Sequence, residues 1–154
     1  MSGGNVERDA LIETLNDLVE NCKDGEFGFR SCAERAKSDE LKSFFARRAD
    51  RCAASAEELR GVVARLGGTP DDGGSASGAL HRGWVSVRAA LSLDDDKAVL
   101  DECERGEDLA VARYRRALED PLPADIEAMV RRQYEGALRN HEDIKRLRER
   151  ADVA

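Results

Sequence analysis

Apolar residues recur at every third or fourth position over stretches of some thirty residues, and no other feature constrains the fold as strongly. Leu11, Leu15, Leu18, Cys22, Gly25, Phe29, Cys32 and Ala36 form the first such stripe. At 3.6 residues per turn these positions fall on one face, so the spacing predicts a helix over about 5–37. No proline interrupts it.

The pattern then repeats. Ser38 and Asp39 are cap residues, and Leu41, Phe45, Ala49, Cys52, Ala56, Leu59, Val63 and Leu66 predict a second helix over 39–66. Gly67-Gly68-Thr69-Pro70 ends it, since glycine supplies a left-handed stop and proline cannot continue a helix. Two long helices joined by so short a turn lie antiparallel. Residues 67–94 read as a crossover, starting with the loop GGTPDDGGSASG and carrying a short helix at about 78–91 marked by Leu80, Trp84, Val87 and Leu91. A third helix is expected over 95–119 through Val99, Leu100, Cys103, Glu107, Ala110, Tyr114, Ala117 and Leu118. Pro121 and Pro123 break it, and a fourth follows over 123–151 through Ile126, Val130, Gln133, Ala137, Asn140, Ile144, Leu147 and Ala151. No stretch alternates as a strand does. The expectation is one all-α domain over 1–154, a four-helix bundle of two antiparallel hairpins. The long connection makes its second and third helices parallel.

Composition closes off several functions. The chain has 154 residues, 41% of them apolar and regularly spaced, which argues against disorder. No run reaches the roughly 18 apolar residues of a membrane span, so no membrane partner is expected. Acidic residues exceed basic ones for a formal net charge of -7, which disfavours nucleic acid. With only two histidines, a three-histidine site is impossible. The opening residues show neither a basic start nor an apolar run, so a cytoplasmic location is expected. The four cysteines contain no C-x-x-C pair and read as reduced thiols. Negative charge gathers in the first half of the third helix, from Asp94 to Asp108, mostly as a solvated face.

Three segments carry a resemblance. They are Leu15-Asn16-Asp17-Leu18 through Cys22-Lys23-Asp24-Gly25-Glu26, Gly78-Ala79-Leu80-His81-Arg82-Gly83-Trp84, and Glu102-Cys103-Glu104-Arg105-Gly106-Glu107-Asp108. In that order the chain resembles an uncharacterised bacterial family of ferritin-like four-helix bundles, classed as a domain of unknown function, over roughly residues 8–150. The resemblance implies a ferritin-like fold. It brings no activity with it, and fold kinship is not evidence of iron chemistry.

Di-metal carboxylate bundles use one Glu from each of two helices and a Glu-x-x-His pair from each of the others. This chain contains no Glu-x-x-His. A divergent site remains open to geometry. Levelling the helices at 1.5 Å per residue sets Cys22 opposite Cys52, Cys103 opposite Asn140 and His141, and Glu107 near Gly136. Glu26, Glu107 and His141 are therefore the candidate ligands for iron or another divalent metal. Cys22, Cys52 and Cys103 form a candidate thiol cluster, with a redox sensor as the weaker alternative. Each has a plainer reading. On it, core cysteines pack as small hydrophobes, Glu26 and Glu107 pair with Arg30 or Arg105 or lean out to solvent, and Gln133 and Asn140 make interhelical hydrogen bonds. His141 bonds a carboxylate across the bundle, and His81 packs or caps on the crossover. The pattern favours a non-catalytic bundle that works as a homodimer or through a protein partner, with Phe27, Phe44 and Tyr134 flanking the core stripes.

Overall fold

The computed structural model describes residues 2–71 and 96–153, with side chains over 6–71 and 96–151. Among these residues the chain forms four helices and no strand: α1 (Ser2–Arg35), α2 (Asp39–Arg65), α3 (Asp96–Glu119) and α4 (Ala124–Val153). Each lies within a few residues of the range expected from its apolar stripe. Most of the crossover, its short helix at about 78–91, His81 and Trp84 lie outside the described residues.

Local chemistry sets both ends of α2. Ser38 sits in an extended conformation and its Oγ accepts the Leu41 amide at 3.2 Å, which satisfies one of the orphan donors of the first turn. At the other end Gly67 takes φ +84°, a conformation in which a side chain is strained. Its amide bonds Ala64 O and the Gly68 amide bonds Val63 O, both at 3.0 Å, so two last-turn carbonyls gain partners in a Schellman motif. Asn16 on α1 then holds the departing chain, donating to Thr69 O at 3.0 Å and accepting from the Asp71 amide at 2.8 Å.

Contacts along the helices give their directions. α1 and α2 form one antiparallel hairpin, α3 and α4 the other. Thr14 of α1 reaches Asp120 at the end of α3, whereas the Lys37 amide, after α1, reaches Asp96 at its start. So α1 and α3 run antiparallel, and α2 and α3 run parallel. Going round the bundle the order is α1, α2, α4, α3, and the α2–α4 side is the loosest of the four.

The core has two halves. One gathers Leu15, Leu18, Leu59, Val63, Val111 and Val130; the other gathers Phe29, Phe45, Val99, Leu100, Cys103 and Ile144. Phe29 and Phe45 stack with centroids 6.1 Å apart, and Phe44 meets Phe45 edge-on at 5.5 Å. Glu107 and Asn140 are buried at the level between the halves, where Arg48 joins them, and the buried Asn21 and Gln133 belong to the first half beside it.

Candidate functional site

Glu107 stands on the core stripe of α3 and is only 1% exposed. A carboxylate buried so deeply needs charge-assisted hydrogen bonds to stay ionised. It has two. Arg48 Nη2 on α2 donates to Oε1 at 3.1 Å, and Asn140 Nδ2 on α4 donates to Oε2 at 2.6 Å. The Arg48 side chain is itself only 10% exposed and lies 5.9 Å from the centre of the Phe29 ring. Burial is the largest influence and works against the guanidinium's charge, but the charge and hydrogen bond of Glu107, with smaller contributions from Cys52 and Tyr114, together raise Arg48 above the ordinary guanidinium value. The pair ties α2, α3 and α4 together through a charge compensated inside the bundle.

Tyr114 begins a second network one layer away. Its hydroxyl donates to Gln133 Oε1 at 3.0 Å. With that proton committed, the phenolic oxygen accepts from the Cys22 thiol at 3.1 Å. Gln133 Nε2 in turn donates to Glu58 Oε1 at 2.8 Å, and Arg132 binds the other Glu58 oxygen. A chain of hydrogen bonds thus runs from an interior thiol on α1 to a surface ion pair between α2 and α4. Gln133 and Asn140 are both cross-helix partners, as their stripe positions predict.

Between the two networks lies a cavity of about 20 Å³, lined among others by Asn21, Cys22, Arg48, Cys52, Glu107 and Tyr114. That volume matches a single water. Asn21 Oδ1 and Arg48 Nε, buried without a hydrogen-bond partner among the described residues, supply one acceptor and one donor beside it.

All four thiols are buried. Cys22 and Cys52 share the cavity wall, as levelling the first hairpin predicts. Cys103 does not join them: its Sγ lies 3.4 Å from that of Cys32, which the candidate cluster omitted. Burial pushes the Cys22 thiol up to about 11, against a lowering by the Tyr114 bond. Burial likewise pushes Cys52 to about 12, with Arg48 opposing. Cys103 is raised well above the ordinary thiol range by burial and then by Cys32. Thiols held protonated in this way are poor nucleophiles and poor metal ligands.

The three candidate metal ligands have separate partners. Glu26 sits on the flank of α1 with Lys23 at 3.6 Å and Arg30 at 3.3 Å. Glu107 is taken by Arg48 and Asn140. His141 bonds the exposed Asp108 at 2.5 Å near the surface. Among the described residues no three His, Cys, Asp or Glu side chains gather into a group that could hold a metal ion. The donor set that a di-metal bundle requires is therefore not assembled by these side chains.

Two features differ from the sequence expectation. Glu107 meets Asn140 where levelling set it near Gly136, a slip of one helical turn. Residues 120–123 are not helical, and counting helical rise through them misplaces the register. The partner of Glu107 is Arg48, while Arg105 pairs with Glu102 at 3.2 Å. A signal for Arg48 was present. It stands three residues after Phe45 and four before Cys52, on the same face as the stripe, and a carboxylate on a facing stripe demands a cation there.

Comparison with curated proteins gives no match to this chain. A protein-family model described as "Domain of unknown function (DUF2383)" matches residues 10–120, about three quarters of α1 together with α2 and α3 and well over half of the sequence. With that match the chain belongs to the DUF2383 family, a domain of unknown function.

Proposed function

We propose that this protein is a non-catalytic helical bundle of the cytoplasm that works by binding, either a second copy of itself or a protein partner. One observation carries the reading. The only carboxylate among the fully buried side chains of the described residues, Glu107, is neutralised by Arg48 and hydrogen-bonded by Asn140, so the interior spends these polar groups on one another. The raised thiols add to it, because a redox role calls for a thiolate. Phe27, 54% exposed on α1, supports a contact face, although a single exposed apolar residue is common. A divergent iron or other divalent-metal site on Glu26, Glu107 and His141 is the competing reading, and it requires Glu107 to leave Arg48.

Sedimentation equilibrium over roughly 1–100 µM tests the self-association arm, since a weak homodimer of about -6 to -8 kcal/mol populates within that range. The expected result is an average mass that climbs from the monomer toward the dimer and falls back in Phe27→Ser. A monomer mass at every concentration removes self-association and leaves only the protein partner.

A further inference from the structure

The loose α2–α4 side of the bundle opens as a groove with an unusual charge. In a chain of net charge -7, one part of this groove, about 300 Å³ in volume, is lined by four arginines and a single acid. The arginines are Arg47, Arg48 and Arg51 on α2 and Arg139 on α4; the acid is Asp143. Arg48 is offset from behind by Glu107, and Asp143 is engaged by Arg146 at 3.6 Å. Arg47, Arg51 and Arg139 make no ion pair among the described residues, although most other arginines on these two helices do. Three uncompensated guanidinium groups from two facing helices thus line one concavity.

Next to it, sharing Phe44, Arg47 and Asp143, the groove widens to about 870 Å³ between the start of α2 and the end of α4. Its walls set Phe44 and Leu147 among the charged side chains Arg47, Asp143, Arg146 and Glu149, and the Arg150–Glu40 pair at 2.5 Å lines it too. A cationic pocket of ligand size therefore continues into a wider space with two apolar side chains on its wall, and small-molecule sites combine apolar contacts with a few polar groups. Guanidinium forks bind oxyanions two hydrogen bonds at a time, and three of them together favour an anion with more than one negative charge. A phosphate monoester carries about -1.5 to -2 at neutral pH and three acceptor oxygens, whereas a carboxylate carries one charge.

We propose that this groove binds a small soluble phosphate monoester bearing an apolar group, with the phosphate held by Arg47, Arg51 and Arg139 and the apolar part against Phe44 and Leu147. The site lies on the flank of the bundle, apart from the interior polar layer, and does not depend on self-association.

Isothermal titration calorimetry with phenyl phosphate, inorganic phosphate and phenol tests it on the full chain, with vesicles containing phosphatidic acid as the lipid arm. Phenyl phosphate is expected to saturate one site and to bind about tenfold or more tighter than inorganic phosphate, with no saturable heat from phenol. Arg51→Ala and Arg139→Ala should each weaken it by about tenfold or more, the worth of a charged hydrogen bond. Arg131→Ala, on α4 but paired with Glu127 at 3.0 Å, should leave it unchanged. The substituted residues are exposed, so the variants keep their fold, which a far-ultraviolet circular dichroism melt verifies. The proposal fails if phenyl phosphate gives no saturable binding, or if Arg131→Ala weakens it as much as Arg51→Ala. Equal affinity for inorganic phosphate overturns the apolar half, and capture by the vesicles without phenyl phosphate binding overturns the soluble ligand.

Discussion

Changing Arg48 to Met keeps most of the unbranched stem of the side chain and removes its charge. Glu107, 1% exposed, is then left with the 2.6 Å bond from Asn140 as its one charge-stabilising contact. Removing one member of a buried ion pair costs about 3–5 kcal/mol, because the survivor is stranded in a low-dielectric interior. Two details place this pair toward the lower end. Asn140 still shares the carboxylate charge, and Arg48 Nε is already without a partner, so its removal also removes an unsatisfied donor. The expected loss is about 3 kcal/mol, which in a chain of this size lowers Tm by roughly 6–12 °C. The double change Arg48→Met/Glu107→Leu should recover most of it, since apolar side chains fill the layer without stranding a charge. Recovery stays incomplete, because Asn140 loses its acceptor and an unmet buried amide costs about 1–3 kcal/mol. Urea unfolding of the wild type, both single variants and the double, followed by far-ultraviolet circular dichroism, gives a coupling energy well above the roughly 0.5 kcal/mol within which independent sites add. A single variant losing less than about 1 kcal/mol, or losses that simply add in the double, would refute the buried pair as the tie between α2, α3 and α4.

Three further outcomes follow from the same geometry. Near pH 8 the Cys22 and Cys52 thiols, held at about 11 and about 12, carry a thiolate fraction roughly two orders of magnitude or more below an unperturbed one. All four cysteines are buried, so each should react with an aromatic disulfide reagent only as fast as the bundle opens and promptly in denaturant; rapid native labelling of even one would contradict the burial. Gly25→Ala and Gly61→Ala should diverge: a Cβ at Gly61 meets nothing and gains about 0.5–1 kcal/mol of helix stability, whereas a Cβ at Gly25 falls 3.0 Å from Cys52 Sγ and destabilises. Equal melting shifts would contradict the close packing of α1 on α2. Glu58 is held below its ordinary 4.5 chiefly by the Arg132 hydrogen bond, against a smaller effect of burial, so its contribution is fully present above that pH and fades as pH falls through the lower folded value. Arg132→Met should therefore lower stability at pH 7 and flatten its acid dependence below about pH 4.5; an unchanged acid limb would contradict the pairing.

How much of this was legible in the sequence depended on whether a feature was local or set between helices. The four long helices followed from apolar spacing, and their ends from Ser38, Gly67 and the prolines, because caps and stops act within a turn. The Cys22–Cys52 level was legible because the first hairpin closes tightly around Ser38. Cys32 with Cys103, and Glu107 with Arg48 and Asn140, were not. Those pairs join helices that are distant in the chain, and their register depends on how residues 120–123 and the crossover space the two hairpins. The α2–α4 groove was hidden for another reason. Arg47, Arg51 and Arg139 each look like ordinary solvated surface until the packing shows that they share one concavity and make no ion pair among the described residues.

The proposed reading makes Glu107 a structural anion held by Arg48 and Asn140 in place of a metal ligand. Anaerobic calorimetric titration of the purified protein with iron(II), run beside Glu107→Gln, tests it most directly. On this account neither protein gives saturable binding, or both give the same weak heats from surface carboxylates. Saturable iron(II) binding in the wild type that disappears in Glu107→Gln would contradict it.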